Sequence, residues 1–275
     1  MHSVPPYEVE FSRRAMLSAG LATAAATSLG FVKPATADDD RSARGWPVVE
    51  LRQYTLYGGR RDDLITVFER EFIETQDEVG AHVIGTFRDL DDPDRFVWLR
   101  GFTDMQERAK ALNDFYTGPA WKAHNRAANV TMLDSSNVLL LHPSAPLGGF
   151  LLHPPSRPAG EILAFIHYVD EALIAPFATF FAEHIAHRAQ TAGAELLASF
   201  ASETSPNTYP QLPIREKDRV FVWFARLTAS GEPNFLRDWR TQTGWRDSAS
   251  EALLPALMRK PEMLRLMPTT RSPLR

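Results

Sequence analysis

Eight residues of the first half of the chain pair cationic donors with aromatic walls: Arg52, Tyr54, Arg88, Trp98, Arg100, Tyr116, Trp121 and His124. Arg52 and Tyr54 lie two apart in an extended run, as do Trp98 and Arg100, so each pair shares one strand face. If the two faces adjoin, guanidinium donors stand beside flat rings, which suits a planar, anionic or carbonyl-bearing ligand. Arg52, Arg88, Trp98, Tyr116 and Trp121 are the candidate ligand-binding residues. Tyr54, Arg100 and His124 are the candidate catalytic ones. His124 is the residue type suited to a general base near neutral pH, while Tyr54 and Arg100 could stabilise an enolate or oxyanion. A competing reading makes the rings core and pairs the arginines with Glu50, Asp89 or Asp104 at the rim.

His124 could also pack, cap, or serve as an axial haem ligand. Glu183, His184 and His187 lie on one helix with the histidines three apart. A metal site needs a third and usually a fourth ligand, and no spacing supplies them, so these are expected to face solvent with no metal. The chain has no cysteine. That removes disulfides, thiolate nucleophiles and cysteine-held zinc or iron–sulfur clusters. Gly-x-Ser-x-Gly, Gly-x-Gly-x-x-Gly, phosphate-loop and His-Glu-x-x-His signatures are also missing, so the sequence names no cofactor.

The elements that must position these residues belong to a chain of 275 residues, 44% hydrophobic and 23% charged. That is the mixture of a globular protein. A net charge of −4 without a Lys/Arg block argues against nucleic acid as partner. The N-terminus reads as an address. Arg13-Arg14 precede an uncharged run from Ala15 to Val32, and Ala35-Thr36-Ala37 offers small residues for cleavage before Asp38. The run is rich in Ala, Gly, Ser and Thr, which suits a twin-arginine signal better than a membrane anchor. Residues 1–37 are therefore expected to be a cleaved signal, giving a periplasmic or extracellular protein without an integral span. Residues 38–47 are expected to be a flexible start.

An internal repeat follows. Gly80 to Phe87 and Gly193 to Phe200 span the same seven residues; Phe96-Val97-Trp98 recurs as Phe221-Val222-Trp223, and Trp121 and Pro143 recur as Trp245 and Pro268. Tyr54 and Tyr168 close the first strand of each copy. One longer loop, from Ser202 to Asp218, absorbs a drift of about 12 residues in the offset. Each copy reads β-α-β-β-α-β. Leu64, Val67, Phe68, Phe72 and Val79 form one apolar helix stripe, matched by Ile174, Phe177, Phe181, Ile185 and Ala189. Gly80 and Gly193 fall where helices end. Phe96, Trp98, Arg100 and Phe102 alternate with Val97, Leu99 and Gly101, so both faces of that strand are covered.

Glu50-Leu51-Arg52-Gln53-Tyr54, Gly85-Thr86-Phe87-Arg88, Asp91-Asp92-Pro93-Asp94, Arg95–Phe102 and Phe115-Tyr116-Thr117-Gly118-Pro119-Ala120-Trp121-Lys122 resemble the NIPSNAP family over residues 48–143. The second copy, residues 161–275, resembles a degenerate repeat that keeps only Gly244-Trp245 of the Gly-Pro-x-Trp segment. Residues 144–160 form a Pro- and Gly-rich linker. The resemblance implies the dimeric α/β-barrel superfamily, which includes small oxygenases and haem enzymes, but supplies no reaction. The expected fold is α+β: two tandem ferredoxin-like βαββαβ halves packed sheet to sheet as an α/β barrel. The expected function is binding of a small aromatic or isoprenoid-like molecule in the barrel cleft, with a homo-oligomer possible. The alternatives are a cofactor-independent monooxygenase or isomerase, and a haem protein.

Overall fold

A strand apolar on both faces must be covered twice, and the computed structural model covers strand 95–102 in that way. It describes residues 45–153, 155, 158–227 and 257–275. The elements run β1 (Val48–Leu56), α1 (Arg61–Glu71), α2 (Ile73–Asp77), β2 (His82–Asp89), β3 (Arg95–Phe102), α3 (Met105–Thr117), α4 (Pro119–Asn129), β4 (Met132–Asp134) and β5 (Val138–Pro143). The second half supplies β6 (Ile162–Tyr168), a short 3₁₀ turn, α5 (Ile174–Phe180), a π-helical turn (Phe181–Ala186), α6 (His187–Thr191), β7 (Ala194–Ser202), β8 (Val220–Leu227) and β9 (Glu262–Pro268). The last helix expected from the sequence repeat, with Trp245, falls within residues 228–256, outside the described residues.

Eight strands close a ring in the order β1-β3-β2-β9-β6-β8-β7-β5, with β5 returning to β1, and every pairing is antiparallel. The short β4, absent from the sequence reading, adds to β1 at Thr55 and Leu56. The result is a mixed α/β protein built on an eight-stranded antiparallel barrel, which has no open edge within the ring. The two four-strand sets meet edge to edge at β2–β9 and β5–β7.

Inward side chains fill the barrel. Val97 and Leu99 of β3 join Val49, Leu51, Leu139, Leu141, Ile162, Ala164, Phe200 and Phe224 in one buried cluster. The linker contributes as well: Phe150 packs against Phe200 and Phe224, with ring centroids 5.3 and 4.9 Å away. Outward side chains meet the helices. Phe96 and Trp98 pack with Leu64, Phe68 and Phe72, and Phe221 and Trp223 with Phe177, Phe181 and Ile185. The stripe expected from Leu64 to Val79 breaks at Phe72 into two helices. Gly80 and Gly193 hold φ of 90° and 89°, a left-handed conformation that glycine adopts without strain. Asp104 starts α3, accepting hydrogen bonds from the Gln106 and Glu107 N–H groups.

The two strand sets pair in matching registers. Arg52 faces Trp98 as Phe165 faces Trp223. Val49 faces Leu141 as Ile162 faces Leu266. At the junctions, Phe87 faces Pro268 as Phe200 faces Pro143. These pairs equate Arg52 with Phe165, and so correct one landmark by a residue. Tyr54 points out to the helices while Tyr168 points into the barrel, so the position equivalent to Tyr54 is His167. No helix among the described residues is long and apolar enough to cross a membrane.

Candidate functional site

The outer face of β1 carries Glu50, Arg52 and Tyr54 in alternate positions, and Trp98 and Arg100 of β3 pair with Arg52 and Glu50. Helix α3 lays Arg108 over the same spot. All three guanidiniums converge on one carboxylate. Glu50 Oε2 accepts from Arg52 Nη1 and Arg100 Nε, each at 2.7 Å, and Oε1 accepts from Arg108 Nε at 2.7 Å. Arg52 Nε donates to the Tyr54 hydroxyl at 2.9 Å, and Arg100 Nη1 to Gln76 Oε1 at 3.0 Å. Arg108 Nη1 donates to Asn207 Oδ1 and Thr208 Oγ1 at 3.1 and 3.2 Å.

Glu50, Arg100 and Arg108 are fully excluded from solvent, and Arg52 is 1% exposed. Burial would raise the Glu50 pKa, but Arg100, Arg52 and Arg108 outweigh it and hold the carboxyl well below the carboxylate range. Burial pulls the Arg108 guanidinium down, against the pull of Glu50. Burial also pushes the Tyr54 phenol up, with Arg52 pulling the other way, so Tyr54 remains a neutral donor. Three buried cations thus face one anion, an imbalance that low dielectric makes costly. Arg100 Nη2 and Trp98 Nε1 are among the buried donors here with no hydrogen-bond partner among the described residues. Buried polar groups are seldom left so.

Beside the cluster lies a cavity of about 30 Å³, lined by Tyr54, Gln76, Trp98, Tyr116, Trp121 and the rings of Phe68, Phe72 and Phe115. Tyr54 and Trp98 meet edge to face at 5.9 Å, and Tyr116 and Trp121 at 4.8 Å. The Arg100 guanidinium lies 5.0 Å from the Trp98 ring and 6.0 Å from that of Tyr116. Tyr54, whose oxygen already accepts from Arg52, presents its O–H proton as a donor, and Trp98 presents its free N–H. Such a lining suits an acceptor oxygen attached to a flat, apolar body, although the space itself is smaller than a ring.

Of the residues singled out from sequence, Arg52, Tyr54, Trp98, Arg100, Tyr116 and Trp121 come together here. Arg88 does not: it is a third exposed at the β2–β9 junction and pairs with Asp62 at 2.6 Å. His124 does not line the cavity; its Nε2 lies 3.2 Å from Glu71 on the helix surface. The expected arginine partner Glu50 is real but buried rather than at a rim, while Asp89 pairs with Arg95 and Asp104 caps α3. His184 and Glu183 form a loose surface pair, and no group of residues suited to a metal occurs among the described residues. The sequence reading missed Arg108, Gln76, Asn207 and Thr208. A signal existed for Arg108, which occupies the stripe position between Met105 and Leu112 on the buried side of α3.

The described residues of the second half carry no such cluster. By the shared registers Leu163, Phe165 and Ala225 stand where Glu50, Arg52 and Arg100 stand. Phe165 stacks on Trp223 at 4.0 Å. His167 replaces Tyr54 and accepts from Trp223 Nε1 at 3.0 Å.

The fold and this covered outer face define an α/β barrel with a polar pocket, and a solved structure shares that fold. An anthrone oxidase-like protein aligns with a TM-score of 0.50 at 13% identity, over 84% of this chain and 95% of that one. A monooxygenase-class protein from Lactobacillus acidophilus aligns with 0.49 at 11% identity, over 84% and 98%. More specifically, the NIPSNAP family profile matches residues 49–146, which hold nearly all of the pocket. A NIPSNAP-like domain protein from Burkholderia xenovorans is 26% identical, covering 40% of this chain and 97% of its own, with a TM-score of 0.34. No curated protein matches the chain.

Proposed function

We propose that this chain is an exported, NIPSNAP-like protein that binds a small aromatic molecule in the first half's pocket, within a barrel built from two ferredoxin-like halves. The observation that carries the reading is a ring-walled cavity with Tyr54 and Trp98 as donors, backed by surplus positive charge, where Leu163, Phe165 and Ala225 stand at the positions matching the charged residues Glu50, Arg52 and Arg100. Matching registers in the two strand sets support the tandem-half reading. The Arg13-Arg14 signal supports export. The barrel interior is filled by its own side chains, so the ligand's place is beneath the helices and not inside the ring. No histidine among the described residues lines the cavity, so nothing there supports the reading of a histidine-ligated haem.

The test is extraction of the protein purified from its exported fraction, with mass spectrometry of whatever co-purifies. An aromatic compound bearing an acceptor oxygen is expected, with its occupancy reduced at least tenfold in Trp98→Phe, which keeps the ring and removes the free N–H. Recovery of no aromatic compound from either protein, or equal occupancy in both, overturns the reading.

A second reading is a cofactor-independent monooxygenase or isomerase. It is favoured by the donor pair of Tyr54 and Trp98, which would stabilise an enolate oxygen. The anthrone oxidase-like neighbour suggests an anthrone under air as the first substrate to assay. This reading ranks second because the proposed base, His124, is turned to Glu71 and no other candidate base lines the pocket.

A further inference from the structure

The loop between β7 and β8 spans residues 203–219, whereas the equivalent turn between β2 and β3 spans only 90–94. The added residues cross to the first copy's cluster. The loop is anchored at both ends on β5, through Glu203 N–H to the Leu140 carbonyl and Arg215 N–H to the Val138 carbonyl. Its tip carries internal hydrogen bonds: Tyr209 N–H to Asn207 Oδ1, Asn207 Nδ2 to the Leu212 carbonyl, and Leu212 N–H to the Tyr209 carbonyl. To the site it gives only the two acceptors on Arg108, a Thr208 Oγ1 bond to the Met105 carbonyl, and a stack of Tyr209 on Tyr116 at 6.1 Å, beside apolar contacts of Leu212 and Ile214.

The cavity behind Tyr116 is too small for a ring. An apolar cavity that takes benzene measures about 150 Å³, against about 30 Å³ here. Something must open to admit an aromatic ligand. The helices are locked by buried rings, while the loop tip can lift as a unit with its internal bonds intact. What it leaves behind is a buried guanidinium whose outward donors had been met only by neutral oxygens.

We infer that the 203–219 loop is a displaceable cover, and that the ligand is an acid whose carboxylate replaces Asn207 and Thr208 on Arg108 while its ring enters past Tyr116. This rests on the pocket reading above. Charge-assisted hydrogen bonds to a carboxylate are about twice as strong as those to neutral oxygens. One carboxylate also meets half of the uncompensated positive charge, and Arg100 Nη2 adds a donor that no group among the described residues accepts from.

The experiment titrates the full exported chain with benzoate, 2-naphthoate and their uncharged amides, following quenching of tryptophan fluorescence. At least one acid is expected to bind 30-fold or more tightly than its amide. Arg108→Met, which leaves Glu50 paired with Arg52 and Arg100, should abolish that preference while sparing amide binding. Thr208→Val, at an exposed loop position, should tighten acid binding several-fold by removing a competing acceptor. Equal affinity for acid and amide, or an acid preference unchanged in Arg108→Met, overturns the inference and leaves the aromatic pocket standing. Binding of none of the four compounds overturns both. Should Arg108→Met fail to fold, the acid–amide ratio in the unaltered protein and the direction of the Thr208→Val effect still decide.

Discussion

The second half of the barrel offers a control for the energetics of the first. It fills the equivalent space with Leu163, Phe165 and Ala225, so the barrel folds with an apolar cluster at that place. Two perturbations separate stability from binding. Glu50→Gln removes the one anion and leaves three buried guanidiniums without a counter-charge. Breaking a buried ion pair in this way costs about 3–5 kcal/mol, a large share of the ~5–15 kcal/mol typical of a domain. The combined variant Glu50→Leu, Arg52→Phe, Arg100→Ala, Arg108→Met instead replaces every charge, following the second copy wherever it supplies a residue. Exchanging a whole buried charged group for apolar packing is neutral to stabilising by about 1–4 kcal/mol. Urea unfolding, read by the fluorescence of buried Trp98 and Trp223, measures both. With a slope near ~2 kcal/mol per M, Glu50→Gln should lower the midpoint by roughly 2 M. The combined variant should match or exceed the parent and bind no acid probe. If it unfolds as early as Glu50→Gln, the charges serve packing, and the argument that they are kept for a ligand fails.

Two further outcomes test the second copy and the linker. Burial holds the His167 pKa down to about 3, so from pH 6.5 toward 3 the unfolded chain takes up a proton that the folded chain refuses. Stability should be full above pH 6.5 and fall by about 1.4 kcal/mol per unit below it. His167→Gln, which keeps an acceptor for Trp223 Nε1, should flatten the change in urea midpoint between pH 7 and 5, and an unaltered slope would show that His167 is not the group responsible. Phe150→Ala should cost about 3–5 kcal/mol, because this linker side chain is buried among Phe200 and Phe224. A change below ~1 kcal/mol in thermal or urea unfolding would mark the linker as a mere connector.

Periodicity was enough for the barrel's strands, because Phe96 to Phe102 alternates without a polar face and only a doubly covered strand reads that way. The site was legible in part for the same reason. Spacing of two put Arg52 with Tyr54 and Trp98 with Arg100 on shared faces, and the structure joins those faces by direct strand pairing. Residues set by contacts distant in sequence were not legible. Asn207 and Thr208 reach Arg108 across about a hundred residues, and nothing local in a polar loop announces what it covers. His124 drew notice by residue type alone, yet its place on the helix α4 turns it toward Glu71. The Tyr54–Tyr168 pairing erred for a further reason. Two tyrosines at similar strand ends look equivalent in a sequence, but a shift of one residue reverses the face, and only the register shows it.

Holding both strand sets in one chain bears on how such a site could arise. In a barrel formed by two identical subunits, any insertion between the second and third strands would appear twice, and both charged clusters would carry the desolvation cost. A single chain removes that constraint. Here the longer loop belongs to the second set and covers the first, while the second set holds Leu163, Phe165 and Ala225 at the matching positions. The changes complement one another: a cover is useful only where a charged pocket persists, and the cost of burying excess guanidinium is carried once instead of twice. On this argument, shortening 203–219 to the length of the 90–94 turn leaves the barrel closed, since no ring strand lies within the deleted residues, and exposes Arg108 to water.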